Sequence, residues 1–112
     1  MQARFKLWVE KDGELVLSAW RTQLLETIDE AGSISEAAHR LGVHYRIAWA
    51  RVHQMEQRLG VRLVEGRSGG AGGGGARLTA AGREQVRKFH QLSRDLQEQI
   101  DSRLAELYGE ER

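Results

Sequence analysis

Residues 33–59 read SISEAAHRLGVHYRIAWARVHQMEQRL, and the spacing within this stretch decides the fold. Ser33 is an N-cap residue, and Glu36 three positions on completes the pattern of a capping box, which satisfies two orphan backbone N–H groups. Ala37, Ala38 and Leu41 form the buried stripe of the helix that follows, and the small alanines let a second helix approach closely. Gly42 ends that helix in a conformation that side chains resist. His44 or Tyr45 opens the next helix, in which Ala48, Val52, Met55 and Leu59 recur at spacings of four, three and four and so share one face. Arg46, Ile47, Ala50, Arg51 and Gln54 are left for the opposite face. A short helix, a glycine turn and a longer helix with a basic outer face predict a helix-turn-helix, whose second helix is shaped for the DNA major groove.

Working outward, the 112 residues suit one domain with a modest core, which an oligomeric contact would help to stabilise. There is no cysteine, which removes disulfides and thiolate metal sites. The opening residues MQARFKLWVEKDGE lack the apolar run of a signal peptide, and no segment reaches membrane-spanning length. A cytoplasmic protein with no membrane contact is expected. The net charge of +1 is unevenly spread: residues 1–36 carry −3, residues 37–80 carry +5 and residues 81–112 carry −1. Positive charge thus gathers on the helix-turn-helix, as phosphate contact requires.

On the N-terminal side, Phe5, Leu7 and Val9 alternate before Asp12-Gly13, and Leu15 and Leu17 follow, which predicts a hairpin over residues 4–17. Trp8 falls on the other face, so both faces are expected to be partly covered. Ser18 caps a helix running to Ala31, with Trp20, Leu24, Leu25, Ile28 and Ala31 as its inner stripe and Gly32 as its stop. On the C-terminal side, Val61–Glu65 and Ala76–Thr79 read as two short strands flanking a segment, residues 66–75, with seven glycines in ten. Two strands behind a recognition helix make a wing with a disordered tip, and Arg67 and Arg77 beside it are placed to reach phosphates or a minor groove. The glycines do not make a nucleotide cradle, because no Gly-Lys-Ser/Thr follows and no helix opens behind them in a βαβ unit.

Thr79 caps a last helix with Val86, Phe89, Leu92, Leu96, Ile100, Leu104 and Leu107 at near-heptad spacing. Extending roughly 43 Å at 1.5 Å per residue, it outruns a compact domain of this size. The half through Leu92 is expected to cover the chain's own core, and Leu96, Ile100, Leu104 and Leu107 to form a homodimer contact. The fold class predicted is mainly α with small β-hairpins: a winged helix-turn-helix over residues 1–79 and a dimerisation helix over residues 80–112. His39, His44, His53 and His90 are the only histidines, and they are not joined by clustered carboxylates. Neither a catalytic triad nor paired buried carboxylates can be picked out. Hence no catalytic residue, metal or cofactor is expected, and His44 and His53 are expected to face phosphate.

The run LGVHYRIAWARVHQMEQRLGVRLVEG, with ARLTAAGRE after it, resembles the winged helix-turn-helix of LysR-type regulators. The chain is more closely similar to the N-terminal DNA-binding domain of the ModE type, the molybdate-responsive regulators. The specific marks are GSIS and the alanine pair within 32–38, the Tyr45-Arg46 and Ala48-Trp49 pairs, Met55, and GGAGGGGARLTAAG over 69–82. The resemblance covers about residues 24–107 and is weakest at the N-terminal hairpin. It implies a bacterial or archaeal transcription factor that dimerises through helices outside the recognition unit, with Ser35, Tyr45, Arg46, Trp49 and Ala50 facing DNA. His44 departs from the pattern, standing where the family usually has a capping serine. The chain also stops at Arg112, short of the family's molybdate-binding domains, so it is expected to be either a truncated piece or a naturally short homologue. Molybdate or tungstate as effector follows by analogy alone.

The expected partner is double-stranded DNA, bound as a homodimer on a palindromic operator with recognition helices about 34 Å apart. Arg46 and Arg51 enter or border the major groove, one reading guanine and the other anchoring phosphate. Ser35 and His44 bond phosphates beside the helix starts. Tyr45 contacts a thymine methyl or a phosphate, or braces the turn, and Trp49 faces DNA or packs at the core edge. Two rival readings are a winged-helix module for protein interaction and a direct oxyanion sensor at the dimer contact.

Overall fold

A computed structural model describes residues 1–67 and 74–109 of the chain. Strands β1 (Trp8–Lys11) and β2 (Glu14–Ser18) pair antiparallel, with a register shift between Val9 and Glu10. Their turn has Asp12 at φ 54° and Gly13 at φ 79°, the doubly left-handed geometry for which Asp-Gly is suited. Leu7 and Val9 pack against the core and Val16 and Leu17 enter it. Trp8 stays 53% exposed, its indole N–H donating to Glu10 at 2.9 Å, so the outer face of the hairpin is open rather than covered.

Helix α1 (Ala19–Ala31) starts where the Ser18 hydroxyl accepts from the Arg21 amide and stops at Gly32, φ 82°. Leu24, Leu25 and Ile28 are fully buried, whereas Trp20 and Ala31 are only partly covered. Arg21, Thr22 and Thr27 are buried beside the apolar residues, a polar share of the inner face that the hydrophobic stripe did not announce. This helix sits at the centre, touching each of the other helices and both hairpins.

Helices α2 (Ile34–Leu41) and α3 (Tyr45–Leu59) follow around the αL glycine Gly42. Only half of the capping box forms: the Ser33 hydroxyl accepts from the Glu36 amide at 3.0 Å, but the Glu36 carboxylate takes Arg40 at 3.4 Å, one turn on. Ala37, Ala38, Ala48, Val52 and Met55 close the interface between the two helices and α1.

Strand β3 (Val64–Arg67) pairs antiparallel with β4 (Gly75–Leu78), Val64 opposite Leu78 and Arg67 opposite Gly75. The first strand begins at Val64, not at Val61, which is 39% exposed. The cause is Glu56, whose carboxylate accepts from the Leu63 and Val64 amides at 2.8 and 3.2 Å and holds the preceding residues in a turn. Leu63 and Val64 are then buried consecutively, which an alternating strand cannot achieve. The wing is tied to α1 by Ala76 N–H donating to Gly32 at 2.8 Å and by Leu78 N–H donating to Asp29 at 2.9 Å. The expected disordered tip falls mostly on residues 68–73, outside the described residues.

Helix α4 (Ala80–Tyr108) is capped by the Thr79 hydroxyl and runs for 29 residues. Of its apolar positions Phe89 is buried and Val86 packs on the core, but Leu92 is 43% exposed, so coverage ends one turn earlier than expected. Past Phe89 the helix outruns the core and is met by the N-terminal residues, Gln97 donating to the Ala3 carbonyl at 3.2 Å; the extents are 58 × 30 × 24 Å and the radius of gyration is 17.0 Å. A compact domain of this size is near 13 Å.

Candidate nucleic-acid interface

At 100° per residue, α3 divides into four sides around its buried Ala48, Val52 and Met55. Opposite the core stand Arg46, Ala50, His53 and Gln57. The flank toward the wing carries Trp49 and Glu56, the latter holding the wing's first amides. The flank toward α1 and the N-terminal hairpin carries Arg51, Gln54 and Arg58: Gln54 accepts from Arg21 at 2.7 Å, and Arg58 donates to the Leu15 carbonyl at 2.6 Å. Arg51 and Gln54 therefore stand to the side, not on the outer face expected for them.

Arg46 is exposed and has no hydrogen-bond or ion-pair partner among the described residues. Tyr45 at 49% and Ile47 at 41% exposure flank it, so the start of α3 is uncovered on three sides. His44 occupies the N-cap of α3 without a side-chain cap bond; its carbonyl accepts from the Ile47 and Ala48 amides. The Tyr45 and Arg46 amides are thus unclaimed at the positive end of the helix dipole, beside an exposed imidazole. Ser35 is exposed in the first turn of α2.

Trp49 lies outside the core at 44% exposure and stacks on His53, ring centroids 3.7 Å apart and planes 23° off parallel. His53 Nδ1 lies 3.0 Å from the Trp49 carbonyl. A carbonyl only accepts, so in this contact Nδ1–H is the donor. Ala50, half-buried, leaves a gap in the outer face between Arg46 and His53.

Of the wing arginines, Arg67 is exposed with its guanidinium over the α1–α2 turn: a Cβ on Gly32 would lie 3.2 Å from its Nη1. Arg77 is paired with Glu65 at 3.0 Å, directly across the ladder. Both partners are about half exposed, and such pairs contribute at most about 1 kcal/mol, so a phosphate can displace the glutamate. Among the described residues Arg46 and Arg67 therefore offer uncompensated charge, and Arg77 offers charge at small cost.

Sequence reasoning passed over Arg21, Asp29, Glu56 and Gly82. Arg21 has a signal in hindsight, since it stands three and four positions before Leu24 and Leu25 on the buried stripe. Burial, then the charges of Arg51 and Arg58, draws its guanidinium below the ordinary arginine value, although arginine remains charged at neutral pH. On α4, Leu96, Ile100 and Leu104 are half-buried and Leu107 is 63% exposed; none is covered by the rest of this chain's core. Among the described residues no three histidine or acidic side chains gather in a metal-binding group, and no helix is long and apolar enough to cross a membrane.

The chain is 36% identical over 101 residues to the DNA-binding transcriptional dual regulator ModE of Escherichia coli K12, covering 90% of this chain and 38% of that protein. It is 40% identical over 73 residues to the molybdenum-pterin-binding protein MopB of Rhodobacter capsulatus, covering 65% and 27% respectively. The chain thus spans well under half the length of these relatives. Among solved structures, the DNA-binding domain of CbnR in complex with DNA aligns with a TM-score of 0.58 at 30% identity, over 80% of this chain and 98% of that one. Residues 21–83, from the first turn of α1 to the first turn of α4, match the bacterial regulatory helix-turn-helix proteins of the lysR family, and to that family the chain belongs.

Proposed function

We propose that this chain is the DNA-binding unit of a transcriptional regulator, with α3 in the major groove and the wing on the flanking backbone. The observation that carries this reading is Arg46, exposed at the open end of α3 with no carboxylate partner among the described residues. Arg46 reads a base edge, Trp49 and His53 present a stacked aromatic surface beside it, and Tyr45 contacts a thymine methyl or a phosphate. Ser35, His44 and the free amides at the start of α3 hold phosphate, as do Arg51, Arg67 and Arg77. Ala50 lets the helix approach the bases closely.

The regulator acts in the cytoplasm as a homodimer. Leu96, Ile100, Leu104 and Leu107, spaced four, four and three apart on the projecting part of α4, form the contact. Two α3 helices then meet successive major grooves of a palindromic operator about 34 Å apart. The names of the relatives associate the reading with molybdenum, so the genes controlled concern molybdate or tungstate, and the effector, where there is one, is that oxyanion.

Selection of bound fragments from random duplexes, followed by fluorescence anisotropy on the selected site, tests the proposal. The expected outcome is an inverted-repeat site whose affinity falls steeply with salt, by a logarithmic slope of roughly −0.9 for each phosphate neutralised. Failure to enrich any sequence, together with binding indifferent to salt, would refute it.

A further inference from the structure

We propose that Arg21, Arg51 and Arg58 form a subsite for a tetrahedral oxyanion, on the flank of α3 that faces α1 and the N-terminal hairpin. Arg21 stands in the first turn of α1, where the helix dipole already presents positive charge. The residue is 9% exposed; Nη2 is satisfied by the neutral Gln54 amide at 2.7 Å, and Nη1 is buried with no acceptor among the described residues. A buried guanidinium held only by a neutral group is costly unless a negative charge completes it.

Among the described residues the surroundings add two cations, Arg51 and Arg58, and one anion, Glu14. Arg51, Gln54 and Arg58 fall three and four positions apart along α3, on the side where Arg21 docks. Arg58 is balanced by Glu14 at 2.7 Å and by the Leu15 carbonyl. Arg51, half-buried like Arg58, has no partner among the described residues. Three guanidinium groups thus share one carboxylate, and Glu14 is itself 59% exposed. A phosphate-like anion on Arg51 supplies the missing charge and takes several N–H donors at once. Two sources offer this chemistry: the phosphodiester of a bound duplex and a free oxyanion. The first rests on the DNA-binding reading above; the second does not.

Arg51→Gln separates these sources, with Arg51→Lys as the charge-retaining partner. In thermal melts at constant ionic strength, replacing chloride by inorganic phosphate or sulfate is expected to raise the midpoint of the unmodified protein. That rise is at least halved in Arg51→Gln and kept in Arg51→Lys. In chloride alone Arg51→Gln melts no lower than the unmodified protein, because the repulsion on Arg21 is relieved; an arginine that merely braces the fold would lower it. In anisotropy, Arg51→Gln is expected to lower affinity equally on selected and scrambled duplexes and to flatten the salt slope by about 0.9, one phosphate contact. A change only in the duplex slope assigns the subsite to the DNA backbone, and a change only in the melts assigns it to a free oxyanion. Equal responses of the two proteins in both assays would overturn the proposal. Should the unmodified protein bind no duplex, the DNA-binding reading fails while the melts still decide the subsite.

Discussion

Gly82→Ala is predicted to loosen the joint between the wing and α4. A Cβ at Gly82 would lie 2.3 Å from the Leu63 carbonyl oxygen, 3.1 Å from its carbon and 3.3 Å from the Leu78 Cβ. An ordinary carbon–oxygen contact is roughly 3.3 Å, so α4 must retreat by about 1 Å. That retreat stretches two bonds at the same joint, Thr79 N–H to Leu63 at 2.9 Å and Thr79 Oγ1–H to Arg62 at 2.7 Å. Overpacking costs about 1–3 kcal/mol and each weakened bond about 1 kcal/mol, while alanine's helix preference over glycine returns about 1 kcal/mol. The net loss is about 3 kcal/mol, or a melting point lower by roughly 12 °C. Gly60→Ala is the control: Gly60 is left-handed at φ 73° but its Cβ would meet open space, so only the backbone penalty of about 1–2 kcal/mol applies. The assay is thermal denaturation by circular dichroism. A Gly82→Ala protein melting within about 2 °C of the unmodified one would refute the reasoning.

Three further outcomes are expected. Ser33→Ala removes the acceptor of the Glu36 amide and lowers urea-determined stability by about 1 kcal/mol, with the m-value unchanged. Glu56→Ala strands the Leu63 and Val64 amides at the root of the wing and costs about 2–3 kcal/mol; a loss under about 0.5 kcal/mol would mean that water replaces the carboxylate there. Ile100→Glu with Leu104→Glu gives a monomer in sedimentation velocity with helix content retained, and a persistent dimer would place the contact elsewhere.

Local chemistry was legible. The Asp12-Gly13 turn, the caps at Ser18, Ser33 and Thr79, and the glycine stops at Gly32, Gly42 and Gly60 each act within a few residues, so the sequence displays them directly. The fold class followed from these and from the apolar spacing of α3. Features that depend on a distant partner were not legible. The wing strand starts late because Glu56 reaches forward seven residues to hold it, and Leu92 is bare because the core ends at Phe89. The docking of Arg21 onto Gln54 was equally hidden, a contact over 33 residues of chain, although the helical period by itself puts Arg51 and Gln54 to the side of α3. Arg46 was legible because no described residue folds back over the start of α3, so helical periodicity fixes where it points.

The most direct measurement is the affinity of Arg46→Ala for the selected duplex and for duplexes altered one base pair at a time. A base-reading arginine predicts a loss of about 1–3 kcal/mol, roughly 5- to 150-fold, with discrimination relaxed at a single base pair. Unchanged affinity and unchanged discrimination would contradict the account, because the exposed end of α3 would then not be what meets DNA.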